Sequence, residues 1–204
     1  MVLGTGFGSP TTSMVGAFTI TSGPSNRIYL GSNDTDYSAQ DFSFEADMTM
    51  PNLDNPWSIA FLGMGNSTAS PVTFGEPVTN QHIVMVARND EALKSLQSRD
   101  NGTVTTNIPS MGLTVGTHGM RMEWNATTKL ATFLFDVGND GTYDPALTYT
   151  VNGADNGFDA TNSRLFVGGG NGLVFDNIVV TVPEPSAALL GGLGVLGLLR
   201  RRRA

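Results

Sequence analysis

Between Asp41 and Met50 the side chains alternate without a break. Phe42, Phe44, Ala46, Met48 and Met50 are apolar, and Ser43, Glu45, Asp47 and Thr49 lie between them. A period of two over ten residues belongs to a strand with one face in a core and the other in water. A strand of that kind needs a second layer to cover its apolar face, so the chain must stack sheet on sheet. Shorter runs of the same kind recur along the chain. They are Ala17–Thr21, Arg27–Leu30, His82–Arg88, a weaker Leu93–Ser98, His118–Trp124, Lys129–Asp136, Leu147–Val151, Leu165–Val167 and Val174–Thr181. Trp57–Met64 is more continuously apolar and suits a strand buried on both faces or one on the concave face of a sandwich. Turn clusters such as Ser22–Asn26, Pro51–Pro56, Asn125–Thr128 and Asn139–Gly141 separate the runs. No stretch before residue 186 sustains a helical period. Ten to eleven strands, each after a turn signal, predict two antiparallel sheets packed face to face.

The hairpin His118–Gly141 (HGMRMEWNATTKLATFLFDVGNDG) and the last strand Leu173–Val182 (LVFDNIVVTV) look like the concanavalin A-like or laminin-G-like jelly-roll domains of secreted bacterial proteins. The resemblance implies an all-β fold, an antiparallel two-sheet jelly-roll sandwich. The expected organisation is an irregular segment over 1–16, either a frayed start or the remnant of a longer N-terminal strand, the sandwich over 17–181 and a tail over 182–204, with a short apolar C-terminal helix.

Charge narrows the partners. Up to Thr181 seven Lys and Arg face seventeen Asp and Glu, a net of −10. Such a domain repels nucleic acid and anionic lipid, so no nucleic-acid partner is expected. There is no cysteine, hence no disulfide framework and no thiol chemistry. Met1–Gly6 has neither a basic nor an apolar signal region, and the expectation is that the true start lies upstream.

Several residues invite a chemical reading. Jelly-roll glycoside hydrolases that this fold resembles carry a Glu-x-Asp-x-(x)-Glu strand, and Glu45-Ala46-Asp47 begins that pattern. The second glutamate is missing, because Met48, Thr49 and Met50 follow. Retaining hydrolysis needs two carboxyls about 5–5.5 Å apart, so the polar face of an alternating strand explains Glu45 and Asp47 better, and no catalytic residue is assigned. The acidic loop offers Asp136, Asn139, Asp140 and Asp144 as calcium ligands, since hard cations want six to eight oxygens. It is not an EF-hand: Gly138 sits at the third position and Leu147 where a bidentate glutamate belongs. Asn-Asp-Gly is also simply a good turn. His82 and His118 both open strands and are expected as solvated strand ends. Trp57 and Trp124 could stack on a sugar, but their apolar surroundings favour core packing. The run Gly168–Gly172 lies between two strands and is expected as a loop, not a phosphate cradle. Four Asn-x-Ser/Thr sequons, at Asn33, Asn66, Asn101 and Asn125, are expected by chance in so Thr- and Asn-rich a chain.

The tail is the most specific stretch. Val182–Ser186 contains Pro183, Glu184 and Pro185. Ala187–Leu199 carries no charge, and Arg200, Arg201, Arg202 and Arg203 follow it. Thirteen helical residues rise about 20 Å, short of the ~30 Å hydrocarbon core. Four arginines after a marginal span favour a cytoplasmic C-terminus, which puts the acidic domain outside. Pro183 and Pro185 keep the junction extended. The order Pro-Glu-Pro, short Gly/Leu-rich run, arginine cluster resembles the PEP-CTERM protein-sorting signal of envelope-bearing bacteria. That resemblance implies recognition by an exosortase at Pro183, Glu184 and Pro185, removal of the tail, and delivery to the cell surface or exopolysaccharide matrix.

These readings lead to an exported, non-enzymatic surface or matrix protein, with extracellular polysaccharide as its candidate ligand and calcium as its candidate ion. The competing expectations are a glycan-degrading enzyme on the same fold and a structural matrix component without ligand.

Overall fold

The computed structural model describes residues 11–13, 18–19, 28–32, 36–51, 58–66, 82–90, 93–100, 103–109, 113–152, 163–170 and 172–183. In chain order the strands are β1 (Thr11–Ser13), β2 (Phe18–Thr19), β3 (Ile28–Gly31), β4 (Phe42–Met50), β5 (Ser58–Asn66), β6 (His82–Asp90), β7 (Leu93–Asp100), β8 (Thr103–Pro109), β9 (Gly116–Asn125), β10 (Leu130–Asp136), β11 (Tyr149–Asn152), β12 (Ser163–Gly169) and β13 (Val174–Thr181). Two single 3-10 turns, Tyr37–Ala39 and Pro145–Leu147, are the helical elements among the described residues.

The strands form two sheets. One runs β1-β13-β4-β9-β10-β11, with β2 also on β13, and the other runs β3-β12-β5-β6-β7-β8. All strand pairs are antiparallel. The chain passes from one sheet to the other between β2 and β3, β3 and β4, β4 and β5, β8 and β9, β11 and β12, and β12 and β13. The fold is thus the pair of antiparallel sheets that the strand pattern predicts, in the jelly-roll sandwich that the resemblance implies. Two strands go beyond that pattern. β1 lies inside the segment expected to be irregular, and pairs Thr11 with Thr181 and Ser13 with Val179. β8 is polar and Thr-rich, and carries no alternation to mark it.

The core follows the alternation. Phe42, Phe44, Ala46, Met48 and Met50 are all buried, while the four residues between them are half-exposed. They pack with Met120, Met122, Trp124, Phe133, Phe135, Phe175 and Val180 against Ala60, Leu62, Met64, Ile83 and Met85 of the other sheet. The continuous run in β5 is buried on both faces as expected. Ile59 and Phe61 join Val84, Val86 and Phe166 in a second apolar cluster. Gly168 and Gly169 complete β12, so the loop expected over 168–172 is shorter than its glycines suggest.

Candidate functional site

The outward face of the first sheet is polar. Register sets Glu45 opposite Arg121 and Ser43 opposite Glu123, with Thr132 and Leu134 continuing these rows on β10. The Arg121 guanidinium lies 2.8 Å from the Glu123 carboxylate and 3.6 Å from that of Glu45. These partly exposed pairs contribute little to stability, but they fix where the charges stand. The Tyr143 ring covers the guanidinium, with 5.8 Å from Cζ to the ring centroid. The buried Arg121 Nε has no hydrogen-bond partner. Burial pushes the Tyr143 phenol above its ordinary value; the Glu45 carboxylate adds to this, and Arg121 opposes it. Burial alone pushes Tyr149 well up. A phenol whose folded value is raised keeps its full contribution below the unfolded value of 10.0 and loses it as pH rises above that. Stability is therefore expected to stay level with respect to these phenols up to about pH 10 and to fall beyond it. Melts followed from pH 8 upward check this, and the fall should diminish in Tyr143→Phe.

One row along the strand, Asp176 faces Asp47, and Asp47 faces Gly119. β13 bulges between Asp176 and Val179. Asn177 takes a φ of 47° there, which Asn tolerates better than most residues. Its Nδ2 donates to the Asp47 carboxylate over 2.6 Å. Gly119 is glycine for lack of room. A Cβ there would lie 3.1 Å from Asp136 Cβ and 3.2 Å from Asn139 Oδ1, so the acidic loop folds down onto the bare backbone.

That loop accounts for the residues expected to bind calcium. Asp136 is 2% exposed. Its carboxylate accepts the backbone N–H of Asp140 (3.3 Å) and of Gly141 (2.8 Å). Asp140 accepts from Thr142 N–H, and Asp144 caps the following 3-10 turn by accepting from Ala146 N–H, both over 2.8 Å. Each carboxylate thus serves its own turn. Among the described residues no three His, Cys, Asp or Glu form a group that could hold a metal ion.

His118 departs from expectation. It is not a solvated strand end but fully buried. β9 starts two residues earlier, at Gly116, so His118 falls on the same inward face as Met120, Met122 and Trp124. Its Nδ1 accepts Gly138 N–H over 3.2 Å, which leaves Nε2 to donate to the Thr114 carbonyl at 2.9 Å. The ring also stacks on Phe135, with centroids 5.7 Å apart. One neutral imidazole therefore ties the acidic loop to the segment entering β9.

Trp124 is core, as its pattern favours; its Nε1 donates to the Ser38 carbonyl over 3.2 Å. Asn125 acts as a turn residue, accepting from Thr128 N–H over 2.7 Å. His82 opens β6, and its side chain lies outside the described residues. So do Trp57, Asn33 and Asn101, together with Glu184, Pro185, the apolar run 187–199 and Arg200–Arg203. Pro183 is exposed just past β13. Among the described residues no helix is long and apolar enough to cross a membrane. Arg121 and Tyr143 were not among the expected site residues. Their meeting depends on strand register and on the path of the loop, neither of which shows in spacing alone.

Comparison with known proteins bears on both ends of this picture. The PEP-CTERM protein-sorting motif matches residues 181–203, so the chain carries that export and sorting signal, beginning on the last residue of β13. No curated protein matches the sequence. Among solved structures, lectin II from Ulex europaeus is 11% identical with a TM-score of 0.58, over 85% of this chain and 91% of that one. A peanut lectin in complex with a nine-residue peptide is 9% identical with a TM-score of 0.55, over 86% of this chain and 100% of that one. The lumenal domain of VIP36, in a form bound to Ca2+ and Man2, is 6% identical with a TM-score of 0.55, over 76% of this chain and 71% of that one. At such identities the likeness is one of fold, the concanavalin A-like jelly roll.

Proposed function

We propose that this PEP-CTERM-bearing sandwich is a non-enzymatic glycan-binding protein of the cell surface or extracellular matrix, delivered there by an exosortase that removes its tail. The observation that carries the reading is the position of the sorting motif. It begins on Thr181, the last residue of a core strand, so cutting beyond it leaves the sandwich whole. Before the cut, the run 187–199 holds the chain in the membrane with Arg200–Arg203 on the cytoplasmic side.

Glycan binding is supported by the lectin fold and by the polar outward face. There Glu45, Asp47, Glu123 and Asn177 offer hydrogen-bonding groups to sugar hydroxyls, and Tyr143 offers an apolar ring. Binding is favoured over hydrolysis because Glu45 stands against Arg121 with no second glutamate on its strand. The test is a glycan array of the folded domain, followed by titration of Tyr143→Ala. Loss of the ring is expected to weaken binding roughly tenfold, about 1.4 kcal/mol. A silent array would leave the structural-component reading in its place. Hydrolysis of a polysaccharide, abolished by Glu45→Gln, would replace it with the enzyme reading.

Calcium is not required by this reading. Asp136, Asp140 and Asp144 already accept backbone N–H groups of their own turns, which hold the loop in shape without an ion. The same array is expected to be unchanged by chelator, and the melting temperature likewise. A site filled to a hundred times its Kd would add about 2.7 kcal/mol, a shift of roughly 5–10 °C that a melt would not miss.

A further inference from the structure

We infer that, while the tail is in the bilayer, the sandwich stands on the membrane by the pole that carries the β9–β10 turn, and holds the loop 136–144 at the opposite pole, away from the lipid. The inference rests on the membrane-tail reading above and adds an orientation that comes from strand register. β13 runs from Val174, opposite Thr49, to Thr181, opposite Ser43. Ser43 in turn faces Glu123, and Thr49 faces Thr117. The Thr181 end of the sheet is therefore the end where β9 turns into β10 through residues 126–129. Asp136 pairs with Gly119 near the other end of β9. The ten residues of β9 set the two poles about 30 Å apart.

The tether is short. Val182 still packs against the core, and Pro183 to Ser186 are the four residues between it and the apolar run. Four residues reach at most about 14 Å, half the length of the strands. Thr181 and the turn beside it must stay close to the lipid, and the acidic loop cannot touch it. Tilting onto the outward face of the first sheet is disfavoured as well. Glu45, Asp47, Glu123 and Asp176 stand there, and Arg121, the cation among them, is already engaged by two carboxylates. Anionic lipid repels such a face. The pole at the lipid presents exposed Thr127 and Thr128 at its tip, with one charge of each sign beside them, Lys129 bonded to the Ser38 carbonyl and Asp41 to Ala126 N–H. Before the tail is cut, the outward face is thus held upright and its loop is presented outward.

The absence of cysteine makes the test direct. Thr127→Cys and Thr142→Cys, each exposed, give the full chain one dye site at either pole. The labelled chains are reconstituted into phosphatidylcholine–phosphatidylglycerol vesicles that carry an acceptor dye on the headgroups. Energy transfer from position 127 should exceed that from 142 by about twofold or more, given ~30 Å between the poles. Equal transfer, or more from 142, in chains that float with the vesicles would overturn the orientation and leave the anchoring intact. Chains that do not float with the vesicles would overturn the anchoring reading and the orientation with it.

Discussion

Replacing His118 with alanine is expected to lower the melting temperature by roughly 5–15 °C, the effect of about 2–4 kcal/mol in a domain of this size. The ring sits in the core yet is bonded at both nitrogens, to Gly138 N–H and to the Thr114 carbonyl. Alanine removes both part-buried hydrogen bonds, to Gly138 N–H and the Thr114 carbonyl, and the stack on Phe135. Each lost hydrogen bond costs about 0.5–1.5 kcal/mol, and the cavity left where the buried ring stood adds to that. Asp136 and the 137–141 turn depend on the same contact, so hydrogen exchange should quicken at Gly138 and Gly141 before it does in β4. His118→Phe should recover packing but not the exchange protection. A variant that melts within a degree or two of the parent, with the loop amides still protected, would show that the imidazole is not what holds the loop.

Gly63→Ala should be nearly as damaging, about 3 kcal/mol or more, although adding a methyl inside a strand ordinarily helps by 0.5–1 kcal/mol. Here the two effects can be ranked. Gly63 lies mid-strand between Val84 and Phe166. A Cβ on it would run into the Ile83 carbonyl oxygen and come within 2.7 Å of Val84 Cα. Both are backbone atoms of the neighbouring strand, so nothing can swing aside without opening the β5–β6 ladder. Denaturant unfolding of the variant measures the cost. A midpoint equal to or above that of the parent would mean that the two strands can part more easily than their register implies.

What could be read from the sequence, and what could not, divides along physical lines. β4 was legible because Phe42 to Met50 alternate without exception, and only a half-buried strand demands that. β5 was legible because Ile59 and Phe61 interrupt the alternation with apolar residues, as burial on both faces requires. β8 and β1 were not. Their residues are mostly Thr, Ser and Asn, and pairing with β7 and β13 rather than an apolar face defines them. His118 carried a signal that its polarity concealed. It stands two residues before Met120 in the same alternating set, which places it inside. Arg121 and Tyr143 carried no local signal. Glu45 and Arg121 are brought together by the β4–β9 register, and residues far apart in sequence reveal no register by their own spacing. For the acidic loop, composition suited a turn and also offered oxygens to an ion. The turn's own N–H groups now occupy Asp136, Asp140 and Asp144.

The sandwich carries a sorting motif at residues 181–203 and, on the proposed reading, matures by losing that tail. Mass spectrometry of the protein isolated from its own cell surface tests this most directly. The expected C-terminal peptide ends near Pro183–Pro185, with β13 complete through Thr181. A mature chain that still carries Arg200–Arg203 would contradict it.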